Sequence, residues 1–281
     1  VYLGAGTFNA RMNARNFSAA DLQEAIVYCH VRGVKVHLTL NTLVLDREMQ
    51  RAADLIRMAA AFGVDAFIVQ DLGVVSLCRE IAPDVPVHAS TQMSIHSLEG
   101  VLEAVVLSRE LPASEIAYIC KKSPVEIEVF VHGALCMCYS GQCYLSSVIG
   151  RRSGNRGQCA QPCRLPYGYG RFESTRYPLS LKDNCLVGEL DELRRMGVAS
   201  LTIEGRMKRP EYVAIVTRAY RTVLNGGQLT QGDLQELESA FSRQGFTDGY
   251  FQGRTGADMF GRRQEGEDTS SLFASARATY E

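Results

Sequence analysis

Long apolar runs are missing from this 281-residue chain, where uninterrupted stretches are of the size of Ala104 to Leu107 or Met58 to Phe62. A membrane-spanning helix needs roughly 18 such residues in a row, so none is expected. No basic-then-apolar leader opens the sequence either, and a soluble, cytoplasmic protein without membrane contact is the expectation. Net charge is nearly absent: 30 basic residues face 31 acidic ones, a balance of −1. Whole-chain attraction to nucleic acid or to an anionic surface is thereby excluded, and only a local patch can supply it. Histidine is scarce, with five residues, and neither His-Glu-x-x-His nor Gly-x-Ser-x-Gly occurs, which removes two usual grounds for reading a hydrolase. With 46% apolar and 22% charged residues the composition is that of an ordinary globular chain. Cysteine is not scarce. Nine of them, an odd number in a chain too large to need disulfide staples, point to thiolate chemistry or metal.

Short β-rich runs alternate with helical patterns over the first two-thirds of the chain. Strands are expected at Val1 to Leu3, Val34 to Leu40, Ala66 to Val69, Val87 to Ala89, Ala104 to Leu107, Ile127 to Val131 and Leu201 to Ile203. Helices are expected from Ala19 to Arg32 behind a Ser18 cap, from Arg47 to Phe62 behind Asp46, from Asn184 to Arg195, from Pro210 to a stop at Gly226, and from Leu229 to about Phe241. Repeated βα units imply parallel strands. Because polar residues follow nearly every strand, rather than clustering at one switch point, the reading is an α/β fold of the TIM-like (β/α) barrel type. The chain opens directly on a strand, so the barrel is expected to lack its first βα unit, and the space after Gln92 leaves room for only a short helix. The organisation read from this is barrel units at 1–133, an insertion at 134–181, remaining barrel units at 182–227, and a Gly- and aromatic-rich extension with a polar tail at 228–281. The insertion leaves the C-terminal end of a strand, where barrel enzymes keep their chemistry, and a small hairpin is expected within 166–181.

The insertion carries Cys136, Cys143, Cys159 and Cys163 in the spacing Cys-x6-Cys-x15-Cys-x3-Cys, with Cys138 close by. Soft thiolates in fours select an iron–sulfur cluster or zinc. The six-residue gap departs from paired zinc knuckles and favours the cluster, with zinc as the alternative. Cys185 is a spare candidate for the fourth ligand, whereas Cys29, Cys78 and Cys120 lie on amphipathic helix patterns and read as core. Between Ala134 and Pro178 stand six arginines and one acid, Glu173, a local balance of +5 interleaved with five tyrosines. Arginine among aromatic rings suits an unpaired nucleic-acid strand, and a solvated basic face is the plainer alternative.

The segments Glu128-Val-Phe-Val-His-Gly-Ala-Leu-Cys136 and Ser140-Gly-Gln-Cys143-Tyr-Leu-Ser-Ser147 resemble the signature of the collagenase-like peptidase family of unknown catalytic type, family U32. The resemblance extends to Asn9-Ala-Arg-Met-Asn-Ala-Arg-Asn-Phe17, Gly157-Gln-Cys-Ala-Gln-Pro-Cys-Arg164, Ile203-Glu-Gly-Arg206, Pro210-Glu-Tyr212 and Gly245-Phe-Thr-Asp-Gly-Tyr250. The Gln-Pro-Cys-Arg version looks most like the branch related to ribosomal RNA hydroxylation. What the resemblance implies is oxygen-independent hydroxylation of a pyrimidine in rRNA or tRNA, a [4Fe–4S] cluster on the insertion's cysteines, and prephenate as oxygen donor. Its partners would be RNA and that small-molecule donor, with room for a partner subunit. Two rival readings stand beside it: a peptidase, as some members are named, and a zinc-stabilised RNA-binding module.

For the mouth, the sequence nominates Asn41, Gln70, Gln92, Arg109, Glu128, His132, Lys182, Glu204 and Arg206, with Arg11 and Arg15 after the first strand and Arg164 in the insertion. Arg109 and Arg206 are read as clamps for a dianionic donor, or else as ion-pair partners of Glu110 and Glu204. Glu128 alternates with Phe130 and His132 along its strand and is expected to orient His132, while Glu204 is the candidate general base.

Overall fold

The computed structural model describes residues 1–12, 14, 16–95, 104–168, 177–205, 208–262 and 269–280. In chain order its elements are β1 (Tyr2–Gly4), α1 (Ala19–His30), β2 (His37–Leu40), α2 (Met49–Ala61), β3 (Ala66–Val69), α3 (Leu72–Ile81), β4 (Val87–Ala89), β5 (Ala104–Val106) and α4 (Ala113–Lys122). There follow β6 (Glu126–Ala134), α5 (Leu145–Gly150), β7 (Asp183–Cys185), α6 (Leu190–Met196), β8 (Ser200–Ile203), α7 (Pro210–Leu224), α8 (Gln231–Ala240), β9 (Phe246–Thr247) and α9 (Ser270–Arg277). The chain divides into two compact units. The first holds Val1–Ser108, Ser123–Ile127 and Cys138–Pro162, the second Arg109–Lys122, Glu128–Met137 and Cys163–Glu281.

In the first unit β1 to β5 form a parallel sheet in sequence order, with Tyr2 opposite His37, Leu38 opposite Phe67, Ile68 opposite His88 and Ala89 opposite Val105. The two pleats have different chemistry. Leu38, Leu40, Phe67, Val69 and Val87 bury against Leu22 and Ile26 of α1, Ile56 of α2 and Val75 of α3 in one continuous core. The alternate positions, His37, Thr39, Ile68 and His88, face the other way, and the His37 and His88 rings meet edge-on at 4.9 Å. Burial, and next the neighbouring His88, push the His37 pKa down to about 4. Helix α1 starts at a capping box in which the Ser18 hydroxyl accepts from the Asp21 N–H and the Asp21 carboxylate answers the Ser18 N–H. Asp46, expected as the cap of the next helix, instead opens a single 3-10 turn, because Glu48 folds back to accept from the Leu45 N–H at 2.9 Å and makes Leu45 the extended capping residue.

The second unit is organised around β6, which pairs with β8 in parallel and with β7 in antiparallel fashion, β9 continuing in parallel beside β7. Helices α4, α6, α7, α8 and α9 belong to it. Strand β7 corrects the expected helix over 184–195. The chain returns from its excursion beside the end of β6, Asp183 opposite Ala134, and so must run backwards along it. The helix begins only at Leu190. The polar tail carries a helix that no sequence pattern announced, α9, held by Arg277 Nε donating to the Glu211 carboxylate at 2.5 Å. The short segment expected after Gln92 and the hairpin within 166–181 fall partly outside the described residues, at 96–103 and 169–176. Among the described residues no helix is long and apolar enough to cross a membrane. The architecture is therefore α/β with mostly parallel strands.

Candidate active site and its cysteine-bearing segment

In the first unit the residues just past the strands converge. Asn41, after β2, accepts the Ala10 N–H on its Oδ1 at 2.9 Å and donates from Nδ2 to the Ser90 hydroxyl at 3.3 Å. Gln70, after β3, donates from Nε2 to the Gln92 carbonyl at 3.2 Å. That carbonyl can only accept, which fixes the amide orientation and leaves Gln70 Oε1 buried without a hydrogen-bond partner among the described residues. Asn9, after β1, donates to the Ala5 carbonyl at 2.6 Å and accepts the Arg11 N–H at 2.9 Å. The Arg11 guanidinium turns back to the Ala10 carbonyl at 3.1 Å. The sequence-nominated Asn41, Gln70 and Gln92 are thus brought together, while Asn9 and Ser90 are members that the sequence did not nominate; their signal was their place just past strand ends. Arg15 lies outside the described residues.

Onto this end of the sheet folds the segment Cys138–Pro162. It approaches so closely that two contacts admit only glycine. A Cβ on Gly141 (φ +78°) would stand 2.0 Å from the Gln92 carbonyl oxygen, and one on Gly157 (φ +78°) 2.3 Å from that of Asn9. The Ser94 hydroxyl donates to the Ser140 carbonyl, and Arg156 reaches the Leu43 carbonyl at 3.0 Å and both Glu48 oxygens at 2.8 and 3.0 Å. That guanidinium, together with the Leu45 N–H, holds the Glu48 carboxyl below its ordinary pKa. Four non-glycine residues of the first unit adopt left-handed backbone: Phe8 (φ 59°), Ser94 (φ 55°), Arg151 (φ 53°) and Gln161 (φ 54°). Such conformations concentrate at functional sites.

All nine cysteines are free thiols. In the first unit the exposed Cys159 sulfur accepts the Gln161 N–H at 3.3 Å and the Ser146 hydroxyl at 3.8 Å, and half-buried Cys143 flanks the same turn across Gly154. In the second unit Cys136, exposed, and Cys163, half-buried, both act electrostatically on Arg164. Burial lowers the Arg164 pKa, Arg243 lowers it further, and the two cysteines with Asp183 counter this. Arg164 is spent on the fold: it donates to the Leu181 carbonyl at 2.6 Å, to the Ser180 hydroxyl at 3.2 Å and to the Leu135 carbonyl, so its expected substrate contact is replaced by a structural one. Within neither unit do three His, Cys, Asp or Glu side chains gather closely enough among the described residues to hold a metal ion. Each unit offers two of the four expected thiols.

The other nominated residues of the second unit separate into two groups. Arg109 is buried, its guanidinium 4.1 Å over the Phe130 ring, donating to the Ala134 carbonyl at 2.8 Å and standing 3.5 Å from Glu204 Oε2. The ion-pair alternative for Arg109 is the one realised, and Glu204, expected as a general base, is its counter-ion. Arg206 lies outside the described residues, and Lys182 is placed by its N–H donating to the Met259 carbonyl at 2.8 Å. The expected Glu128–His132 couple does not form. A bulge between Phe130 and His132 breaks the alternation, leaving Glu128 to accept from the Thr202 hydroxyl. His132 lies fully buried rather than at a mouth, its ring 5.5 Å from Tyr220, 5.2 Å from Phe246 and 6.0 Å from Tyr212. Its Nδ1 meets the Tyr220 hydroxyl at 3.3 Å. Burial, with help from the Lys208 charge, pushes its pKa down to about 3, so the imidazole is neutral at physiological pH. Tyr220 is a member that no sequence pattern announced: its hydroxyl also donates to the Val131 carbonyl at 2.7 Å, accepts the Leu186 N–H at 3.2 Å and lies 3.8 Å from Cys185, whose pKa burial raises. Cys185, the spare candidate for the fourth ligand, thus stands in the second unit against the Tyr220 hydroxyl. Asp183 and Arg243 form a second buried ion pair at 2.5 Å, equally unannounced.

Comparison with known proteins bears on the whole arrangement. The chain is 41% identical over 251 residues to a 23S rRNA 5-hydroxycytidine synthase of Escherichia coli, a match covering 85% of this chain and 38% of that protein. It is 34% identical over 289 residues to a tRNA hydroxylation protein of Bacillus subtilis, covering 93% of this chain and 68% of the relative. A collagenase of Porphyromonas gingivalis is 32% identical over 312 residues, covering all of this chain and 75% of its own length. The chain thus spans well under half of the first of these and about two-thirds to three-quarters of the others. The model of peptidase family U32 matches residues 1–260, and the chain belongs to that family.

Proposed function

We propose that this chain is the catalytic part of an RNA base hydroxylase that works without molecular oxygen on a pyrimidine of rRNA or tRNA. The observation that carries the reading is the 41% identity to the E. coli 5-hydroxycytidine synthase along 85% of the chain. The site is compatible with it: neutral amides at the end of the parallel sheet offer hydrogen bonds suited to a base edge, and Gln70 Oε1 is an acceptor awaiting a donor. The peptidase reading is the less supported, since His132 bonds to Tyr220 through Nδ1 inside an aromatic cage, and its Nε2 has no hydrogen-bond partner among the described residues. The parallel βα repeat of the first unit supports an incomplete (β/α) barrel as the finer description of the fold.

A [4Fe–4S] cluster on Cys136, Cys143, Cys159 and Cys163 would supply one-electron redox chemistry or a Lewis-acidic iron. The donor set suits it, four soft thiols with N–H and O–H donors at Cys159; zinc is the alternative occupant. The chain's own residues then bind and orient. The Asn41, Gln70 and Gln92 network presents the base, Arg206 is the proposed contact for a carboxylate of the donor, and prephenate is the proposed identity of that donor. RNA and the donor are the proposed partners, a partner subunit would complete the mouth, and the cytoplasm is the proposed compartment. Anaerobic purification with iron and sulfide assay, paired with nucleoside mass spectrometry of RNA from cells lacking the gene, tests the proposal. Iron with sulfide, and a hydroxypyrimidine that disappears with the gene and returns on complementation, are expected. Colourless protein with stoichiometric zinc overturns the redox part; unchanged RNA with accumulating peptides replaces the hydroxylase by a peptidase.

A further inference from the structure

The segment Cys138–Pro162 exposes apolar surface that a folded chain ordinarily hides. Tyr139 is 72% exposed, Tyr144 64%, Val148 80% and Ile149 60%, four large side chains within eleven residues. Scattered singly they would need no account, but grouped in this way they mark a contact surface. Helix α5 presents Val148 and Ile149 and is closed by Arg151 in left-handed backbone (φ 53°), which carries the exposed Arg151 and Arg152 onto the same short excursion. No acidic residue occurs between Ala134 and Tyr167, so nothing in this stretch offsets the arginines. Of the three arginines in 138–162, Arg156 is neutralised by Glu48, while no ion pair among the described residues engages Arg151 or Arg152.

We infer that this surface docks an unpaired RNA segment, bases stacking on Tyr139 and Tyr144 and phosphates lying against Arg151 and Arg152. Charge and ring chemistry select this occupant. Tyrosine faces stack any base without regard to sequence, arginines beside them take the backbone, and the absence of carboxylates admits a polyanion. An acidic or apolar protein surface would use Val148 and Ile149 but leave the two tyrosines and the two cations without a shared reason. The inference rests on the hydroxylase reading in one respect: Cys143 lies between the two tyrosines in sequence, so a strand held there runs beside thiols assigned to the cluster.

The test uses the full chain, purified anaerobically, and a fluorescein-labelled unstructured RNA of mixed sequence, with an RNA duplex of equal length and phosphatidylglycerol vesicles as competitors. Wild-type protein should bind the single strand in preference to both. Because stacking on an aromatic is worth about tenfold per base when the ring is removed, Tyr139→Ala with Tyr144→Ala should weaken binding by about a hundredfold. Arg151→Gln with Arg152→Gln should reduce the slope of log affinity against log salt by about 1.4, the loss of two phosphate contacts to a single strand. All four side chains are exposed, so circular dichroism and melting temperature should stay as in wild type. Unchanged binding and salt slope in both double variants, or preference for duplex or vesicles, overturns the docking surface. A chain that restores the hydroxypyrimidine in cells equally well with and without these residues overturns the surface and spares the hydroxylase. Patch-dependent binding by a wild-type chain that restores no modified nucleoside does the reverse.

Discussion

Replacing Gly141 by alanine should unseat the cysteine-bearing segment from the end of the parallel sheet. At φ +78° an L side chain costs roughly 1–2 kcal/mol in backbone conformation alone. The added Cβ would lie 2.0 Å from the Gln92 carbonyl oxygen and 2.7 Å from its carbon, both backbone atoms that cannot rotate away. A carbon–oxygen contact relaxes only near about 3.3 Å or beyond, so the two chains must part by more than an ångström, a change of the overpacking kind that costs about 1–3 kcal/mol. The same carbonyl accepts from Gln70, and the neighbouring Ser140 accepts from Ser94, so a further bond worth about 1 kcal/mol is at stake. The sum, about 3–6 kcal/mol, approaches the stability of a whole domain, and local undocking becomes the cheaper response. Hydrogen exchange and limited proteolysis should therefore report faster exchange and new cleavage within 138–162, with the β1 to β5 sheet still protected. Gly150→Ala is the control, because no atom lies within 4 Å of its Cβ position and its φ is ordinary. Equal protection of 138–162 in the two variants would refute the reasoning.

Three more expectations concern the second unit. Glu204→Leu strands the buried Arg109 charge and should cost about 3–5 kcal/mol in urea unfolding, most of it recovered by Arg109→Met in the same chain; a cost that the second substitution leaves untouched would deny the pair. His132 is depressed to about 3 in the fold against about 6.5 unfolded, so the unfolded chain binds the extra proton; stability should be full above about pH 6.5 and decline as pH falls from there toward about 3. Its ring signals in nitrogen NMR should show no titration between about pH 8 and 5, and an inflection in that window would contradict the caged placement. Tyr220→Phe removes a hydroxyl that serves Val131, Leu186 and His132 and should destabilise by about 1–3 kcal/mol in thermal melts, whereas an unchanged melting temperature would deny that hydroxyl its hub role.

Strand β3 begins and ends where its apolar run does, since a strand buried on both faces writes itself as an uninterrupted apolar word. Strands β7 and β9 are illegible in the sequence. Asp183–Cys185 and Phe246–Thr247 are two or three residues long and partly polar, and they pair because β6 and the Asp183–Arg243 ion pair hold them, not because of any local pattern. The amides at the sheet end could be read because parallel strands deliver the residues beyond their C-terminal ends to one edge. His132 departs from its expected place for an equally definite reason: alternation presumes a regular pleat, and a bulge at Phe130 reverses it. The cysteine spacing announced soft-ligand chemistry, but spacing carries no distances, and the thiols fall two and two between the units.

The left-handed conformations of Phe8, Ser94 and Gln161 bear on attempts to harden this protein against heat. Each is a place where glycine or asparagine would relax the chain by about 1 kcal/mol, and a library screened for melting temperature alone should find them first. Phe8 and Ser94 follow β1 and β4 at the edge where the amides and the glycine contacts meet, and Gln161 stands near the end of the glycine-bearing segment, so such gains would be drawn from the rigidity that aims the site. A hardened variant should accordingly be selected on turnover as well as on endurance, leaving these three positions as they are and taking its increments from exposed helix surfaces instead.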